Sequence, residues 1–244
     1  AYLTHVPSGL QIIDVSDPAA PAFLGWYDTP ILARDVDVEG TTAYVVDSLL
    51  GLQIIDVSDP VKPALLGSID TNGDYRDVVV VGTTVYVAAG YAGLKIIDVS
   101  DPTSPELLGT YDTRDNANYV SVVGTTAYVT DINSGLHIID VSDPAVPAFR
   151  GSYDTPGEAR DVVVVGTTAY VADSLSGLQI IDVSDCSNTC IADLNGDGVI
   201  NNFDVSAFLQ AFGNNDLSID YTGDGVLNFY DLSMFLLSFT GGCP

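Results

Sequence analysis

One phrase recurs along this chain at a fixed interval. The Gly-Leu pair that opens GL-x-IIDVSD stands at Gly9, Gly51, Gly93, Gly135 and Gly177, and every interval is 42 residues with no insertion. Other positions keep the same period: Asp28, Asp70, Asp112 and Asp154, and Gly40, Gly82, Gly124 and Gly166, each of these glycines preceding a Thr-Thr pair. A constant period of this size is the mark of a repeat architecture in which each unit buries its apolar surface on its neighbours.

Each period holds four short runs rich in Val, Ile, Tyr and Thr, separated by Gly, Asp, Ser and Pro. In the second unit they read RDVDVEG, TTAYVVDS, GLQIIDVSD and PALLGSIDT, a pattern of strands joined by tight turns. The third run is apolar on both faces, Leu52 and Ile54 on one side and Ile55 and Val57 on the other. Such a strand belongs to a sheet packed between two layers. Four strands in about 42 residues is the size of a propeller blade, so the expectation is a β-propeller of about five blades over residues 1–185. The first unit begins in phase with Ala43-Tyr44 and lacks its innermost strand; the fifth ends after its third. The strand count is 18, with three strands in the first and fifth units and four in each of the others. Starting inside a repeat, the chain reads as processed or truncated at its N-terminus. Three arrangements stay open: an incomplete five-bladed unit, a larger ring, or ends completed by a neighbouring molecule.

The phrases GLQIIDVSDP and DVVVVGTTAYVAD resemble the LVIVD-repeat propellers of bacterial surface and secreted proteins. The resemblance covers residues 1–185 and implies the propeller without a defined activity.

Cys186 replaces the proline found at Pro18, Pro60, Pro102 and Pro144, and from there to residue 244 the sequence changes character. Asp193 opens DLNGDGVINNFD and Asp220 opens DYTGDGVLNFYD, 27 residues apart. Each is a 12-residue loop with oxygen donors at positions 1, 3, 5, 9 and 12, glycine at position 6 and a backbone carbonyl at position 7. The first ligand set is Asp193, Asn195, Asp197, Val199, Asn201 and Asp204; the second is Asp220, Thr222, Asp224, Val226, Asn228 and Asp231. Two calcium ions are the expected cofactors. Each loop runs into a helix with an apolar stripe, Val205, Phe208, Leu209 and Phe212, then Leu232, Phe235, Leu236 and Phe239. Duplicated loop-helix units with Asp at position 12 resemble a dockerin module, and the terminal Gly-Cys resembles a dockerin variant of bacterial secreted proteins. The resemblance implies attachment to a cohesin-like partner. Two differences stand against it: Asn202-Phe203 and Phe229-Tyr230 occupy the place of the usual Ser-Thr-like pair, and no Pro/Thr linker precedes the module. It also implies termini close together, which favours a Cys190–Cys243 disulfide; Cys186–Cys243 and Cys186–Cys190 stay open, since sequence does not fix connectivity.

With 33 acidic residues against 7 basic ones the formal net charge is −26. That excludes phosphate neutralisation on nucleic acid and attraction to anionic membranes, and no apolar run is long enough to span a bilayer. Disulfide use and self-repelling charge fit an extracellular bacterial protein.

No catalytic constellation stands out. His137 shares its slot with Gln11, Gln53, Lys95 and Gln179 and reads as a solvent-facing strand position; His5 replaces Asp47, Asp131 and Asp173. Arg34-Asp35, Arg76-Asp77 and Arg160-Asp161 begin the innermost strands, with Asn118-Tyr119 in the fourth unit. They should ring one mouth of the central channel, with Arg-Asp pairs between neighbouring blades. The expected function is a non-catalytic interaction or assembly unit, in one version a filament of identical subunits, held by the calcium-stabilised module. The rival is a dockerin-bearing propeller enzyme acting on extracellular glycans.

Overall fold

A computed structural model describes residues 1–5, 9–29, 32–48, 50–184, 194, 202–214, 216, 219, 226–228, 231–233 and 235–236. The chain is mainly β, 52% strand and 10% helix. Its described strands form five antiparallel meanders. Sheet 1 holds β1 (Tyr2–His5), β2 (Gly9–Asp14) and β3 (Ala22–Tyr27). Sheet 2 holds β4 (Ala33–Glu39), β5 (Thr42–Asp47), β6 (Gly51–Asp56) and β7 (Ala64–Ile69). Sheet 3 holds β8 (Asp77–Val81), β9 (Thr84–Ala88), β10 (Leu94–Asp98) and β11 (Glu106–Tyr111). Sheet 4 holds β12 (Ala117–Val123), β13 (Thr126–Asp131), β14 (Gly135–Asp140) and β15 (Ala148–Tyr153). Sheet 5 holds β16 (Asp161–Val165), β17 (Thr168–Ala172) and β18 (Leu178–Asp182). The 3, 4, 4, 4, 3 distribution matches the count read from the repeat.

The sheets stack face to face, and one rule governs every interface. Tyr, Leu and Ile from the second and third strands of one sheet pack on Ala, Val, Ile and Val of the next. Leu10 and Ile12 meet Ala43, Val45, Ile55 and Val57; Tyr44, Leu52 and Ile54 meet Val85, Val87, Ile97 and Val99. Tyr86, Leu94 and Ile96 meet Ala127, Val129, Ile139 and Val141, and Tyr128, Leu136 and Ile138 meet Ala169, Val171, Ile181 and Val183. The Ile-Ile pair of the repeat therefore serves two cores at once, the first Ile facing the next sheet and the second the previous one. A register shift between these two isoleucines recurs in sheets 1 to 4 where the outer strand pairs, a bulge that bends that strand.

Glycine is required where the backbones come closest. A Cβ on Gly25, Gly67 or Gly109 would lie 2.3 Å from the carbonyl oxygen of Pro60, Pro102 or Pro144 in the next sheet. The Asp-Pro turns at Pro60, Pro102 and Pro144 are thus each seated against the outer strand of the preceding unit. Within these turns Asp14, Asp56, Asp98, Asp140 and Asp182 each accept the amide two residues on, at 2.8–2.9 Å, local turns that favour aspartate.

Beyond the sheets, α1 (Asn202–Gly213) lies in a separate small core. Phe208 stacks on Phe235 at 4.4 Å between ring centroids, with Ile219 buried beside them. The two phenylalanines occupy equivalent places in the duplicated loop-helix units. Leu209 and Leu236, from the same predicted stripes, are exposed.

Candidate functional site

The first strands of sheets 2 to 5, β4, β8, β12 and β16, lie side by side around the inner edge of the array. Their leading residues converge. Arg34, Asp35, Arg76, Asp77, Asn118, Tyr119 and Arg160 line one cavity of about 450 Å³. Asp161 is not among the lining residues, although its charge acts on Asp77 and Tyr119.

The expected ion pairs between neighbouring sheets are not what holds this ring. Asp35 Oδ2 accepts the Val78 amide at 3.1 Å, and Asp77 Oδ2 accepts the Val120 amide at 2.8 Å. One turn of the pleat deeper, Asp37 Oδ2 accepts the Val80 amide at 2.8 Å. The first strands belong to separate sheets and do not pair with one another as a ladder; carboxylates bridge from one backbone to the next. In sheet 4 Tyr119 takes the aspartate position and Asn118 the arginine position, and the bridge changes. Arg76 Nη1 donates to Asn118 Oδ1 at 3.2 Å, and Asn118 Nδ2 donates to the Arg160 carbonyl at 2.6 Å.

The arginines are held locally instead. Arg76 Nε and Nη2 donate to Asp74 Oδ2 at 2.9 and 2.8 Å, Arg160 pairs with Glu158, and Arg34 Nε donates to Ser48 Oγ at 2.7 Å. For Arg76 and Arg160 the partner is the acidic residue two positions upstream, just before the strand.

Burial dominates the electrostatics at the floor. Asp77 is pushed up to about 9 by desolvation first, then by the charges of Asp35 and Asp161 and a hydrogen bond shared with Asp35; the Val120 amide opposes this. At neutral pH Asp77 therefore carries a proton and can donate to its neighbour. Tyr119 is raised to about 12 by burial and then by Asp77, Asp161, Asp35 and Asp37. The cavity sets guanidinium donors at the rim over a protonated carboxyl and a phenol below. It can orient a small polar or acidic group.

Neither histidine is near this cavity's lining. His5 is exposed, but His137 is buried, contrary to the solvent-facing expectation. Its slot lies on the face that packs under the preceding sheet, and Gln53 is buried there too. The slot has a local task that the sequence did not disclose. Gln53 Nε2 donates to the Leu50 carbonyl at 3.1 Å, Gln179 Nε2 to the Ser176 carbonyl at 3.0 Å, and His137 Nε2 shares a 2.9 Å hydrogen bond with Ser134 Oγ. Burial lowers the His137 pKa, opposed by Asp131. Asp47 and Asp173, fully buried, tie down the loops: Asp47 Oδ2 accepts the Leu32 amide at 2.9 Å, and Asp173 accepts the Thr155 hydroxyl at 2.7 Å and the Gly157 amide at 2.9 Å.

Of the twelve calcium-loop positions, Asp204, Val226, Asn228 and Asp231 are described. Asp204 and Asp231 are fully buried, and Asp231 Oδ2 accepts the Asn228 amide at 2.8 Å. Asp193, Asn195, Asp197, Val199, Asn201, Asp220, Thr222 and Asp224 lie outside the described residues, as do Cys186, Cys190 and Cys243.

The LVIVD repeat is matched five times in succession, over residues 1–29, 32–71, 72–113, 115–155 and 156–192. The chain belongs to the LVIVD repeat family. The fifth LVIVD match runs past Cys186 and Cys190, beyond the boundary read at Asp185. Among solved structures the fold is similar to the computationally designed Ika8 protein, with a TM-score of 0.62 and 7% identity, over 74% of this chain and 54% of that one. It is also similar to the computationally designed Ika4 protein, with a TM-score of 0.52 and 6% identity, over 62% of this chain and 91% of that one. At these identities the likeness concerns the fold alone, and the chain spans about half the length of Ika8. A search of curated proteins finds no match.

Proposed function

We propose that this LVIVD-repeat chain is a non-catalytic interaction and assembly unit of an extracellular bacterial protein, a propeller-type array carrying a calcium-stabilised, dockerin-like attachment module. The observation that carries the reading is the use of the ring carboxylates. Asp35 and Asp77 each accept a backbone amide of the following sheet, so the groups a hydrolase would aim at substrate are engaged in joining the array. The strong acidity and the recurrence of the same residues from sheet to sheet support a scaffold rather than one specialised catalytic centre.

In the C-terminal module, calcium would be held by the two loops opened by Asp193 and Asp220. The all-oxygen donor set suits this hard cation. Asp204 and Asp231 hold the twelfth position of each loop, where this loop type closes on its ion, and both are buried. Bound calcium would supply folding free energy to a module whose described core is Phe208, Ile219 and Phe235 with a few half-buried neighbours. A divergent cohesin-like domain or an identical subunit is the partner this reading assigns.

One observation favours the alternative, a glycan-active enzyme. A protonated Asp77 beside Asp35 in a cavity has the split that acid-base pairs use. Turnover on a panel of neutral and acidic polysaccharides, read by released reducing ends, separates the two readings. The interaction unit releases none. Release that disappears in Asp77→Asn overturns it in favour of the hydrolase.

A further inference from the structure

The repeats are not equally alike at their two ends. In sheets 2 to 5 the first strand starts, the second ends and the third starts at one end of the sheet. At the opposite end the connections are uniform. Gly-Thr-Thr follows each first strand, at Gly40, Gly82, Gly124 and Gly166, and the Asp-Pro turn follows the third strand in four of the five repeats. The end that carries the cavity is where the repeats diverge. Ser48, Gly90, Ile132 and Ser174 occupy one place in the loop between second and third strands, and Leu32, Asp74, Asn116 and Glu158 occupy one place before the first strand. Loops that differ on a shared rigid scaffold are where binding residues concentrate.

Two of these differences act on the cavity. Arg34, Arg76 and Arg160 are three of the chain's seven basic residues, but they are not equivalent. Arg76 has Asp74 and Arg160 has Glu158 two positions upstream. In that place before Arg34 stands the uncharged Leu32. Arg34 is exposed and bonds Ser48 Oγ through Nε. Among the described residues it has no carboxylate partner, and its two terminal nitrogens make no hydrogen bond. The second difference is in sheet 4, which puts Asn118 and Tyr119 where sheets 2, 3 and 5 have Arg and Asp. The exchange takes a carboxylate out of the lining and supplies a phenol that burial, with the nearby carboxylates, keeps protonated. Asp77 also keeps its proton at neutral pH, so the cavity carries less negative charge than its sequence suggests.

We infer that this cavity is a binding site for a sugar acid, a hydroxylated carboxylic acid whose carboxylate docks on Arg34. A guanidinium whose two terminal nitrogens are free takes a carboxylate side-on through parallel hydrogen bonds. One such cation matches a single negative charge. A dianionic phosphate ester would meet repulsion from the charges of Asp35 and Asp161, which also act on Asp77. All seven lining residues are polar, so an apolar acid would leave their donors and acceptors unpaired. Hydroxyl groups answer them, donating to Asp35 and accepting from Tyr119 and the arginines. The cavity of about 450 Å³ is too large for a bare carboxylate and falls among small-molecule sites, about 300–1,000 Å³.

Binding without cleavage rests on the non-catalytic reading above, and each has its own measurement: affinity here, released reducing ends there. The test is calorimetric titration of the full chain, with equal calcium in cell and syringe. The probes are glucuronate, galacturonate and mannuronate, their neutral hexoses, acetate and N-acetylglutamate. At least one hexuronate is expected to bind at least about tenfold more tightly than its own hexose and than acetate. Arg34→Gln is expected to weaken that binding at least about tenfold. Lys95→Gln makes the same change of charge outside the cavity and installs the residue found at Gln11, Gln53 and Gln179; it is expected to leave the affinity unchanged. Thermal midpoints matching the unchanged chain make a lost affinity a lost contact. A disaccharide of the preferred hexuronate that binds more tightly than the monomer identifies a polysaccharide end as the source, and the reverse order identifies the free acid, each with the site as stated. The inference is overturned if no hexuronate binds, or if acetate binds as tightly as the best of them, an adventitious anion only. It is overturned equally if N-acetylglutamate is preferred, as a peptide partner requires, or if Arg34→Gln binds unchanged. None of these results bears on turnover, and release of reducing ends would remove the non-catalytic reading while leaving the site in place.

Discussion

Asp77 accepts the amide of Val120 across the gap between two sheets, at 2.8 Å, with almost no exposed surface. The carboxyl reaches where backbone pairing stops. Burial first, and then the charges of Asp35 and Asp161, make it an acid that keeps its proton through neutral pH.

That proton has a consequence for stability. The folded-state pKa lies near 9 and the ordinary value is 3.8, so between these values the folded chain binds more protons than the unfolded one. Stability from this group is complete below about pH 4 and falls as pH rises through 9. Asp77→Asn keeps an oxygen for Val120 and removes the titration. It should raise the midpoint of thermal unfolding at pH 8 by a few degrees, on the order of 1 kcal/mol or more, with little change at pH 4. Equal shifts at the two pH values would refute the assignment.

The acid limb belongs to other carboxylates. Asp14, Asp56, Asp101, Asp140 and Asp182 are all held below the ordinary value by hydrogen bonds from the residues two positions on. Their contribution is present above about pH 4 and disappears as pH falls through their lowered values. Circular dichroism between pH 5 and 2 should show the sheets weakening there, and Asp56→Asn, which keeps the turn acceptor without the charge, should blunt the effect.

The seat of each Asp-Pro turn gives a packing prediction. Gly109→Ala would press a methyl group into the Pro144 carbonyl, 2.3 Å from the ideal Cβ, and neither backbone can yield cheaply. A loss of about 2–3 kcal/mol in chemical unfolding is expected. Gly82→Ala meets nothing within 4 Å but sits at φ +61°, so its cost is backbone strain alone, about 1 kcal/mol. Equal losses at the two sites would remove crowding as the explanation.

Equivalent isoleucines should differ by position in the array. Ile138→Ala opens a cavity in a closed interface and should cost about 2–5 kcal/mol. Ile180→Ala, at the same place in the repeat but exposed, should cost under about 1 kcal/mol. Urea titration of both variants makes the comparison.

Calcium removal should act on one part of the molecule. In EDTA the transition of residues 190–243 is expected to move to lower temperature, by about 3 kcal/mol of lost stabilisation if calcium had been a hundredfold above its Kd, while the sheets melt unchanged. A calorimetric profile identical with and without the chelator would sink the calcium loops.

Much of the array was legible because its information is periodic. Strand number, the two-faced third strand and the converging Arg-Asp positions all follow from residues that repeat every 42 places. What a single unit's sequence could not convey was the partner of each group. Arg76 turns to Asp74 and Arg160 to Glu158, loop residues outside the repeating phrase, in place of the expected Arg-Asp pairs between neighbouring sheets. The slot of Gln53 and His137 looked solvent-facing because its residue type varies. In the structure Gln53, His137 and Gln179 each reach the turn three residues upstream, a task that either side-chain type can perform.

The seating of three successive Asp-Pro turns on the glycine of the preceding unit makes the unit boundary itself a repeating part. Insert or delete one whole 42-residue unit and each remaining boundary is still a boundary of the same kind, with the same glycine under the same proline. The residues whose surroundings then depend on the count include those lining the cavity that four successive sheets share.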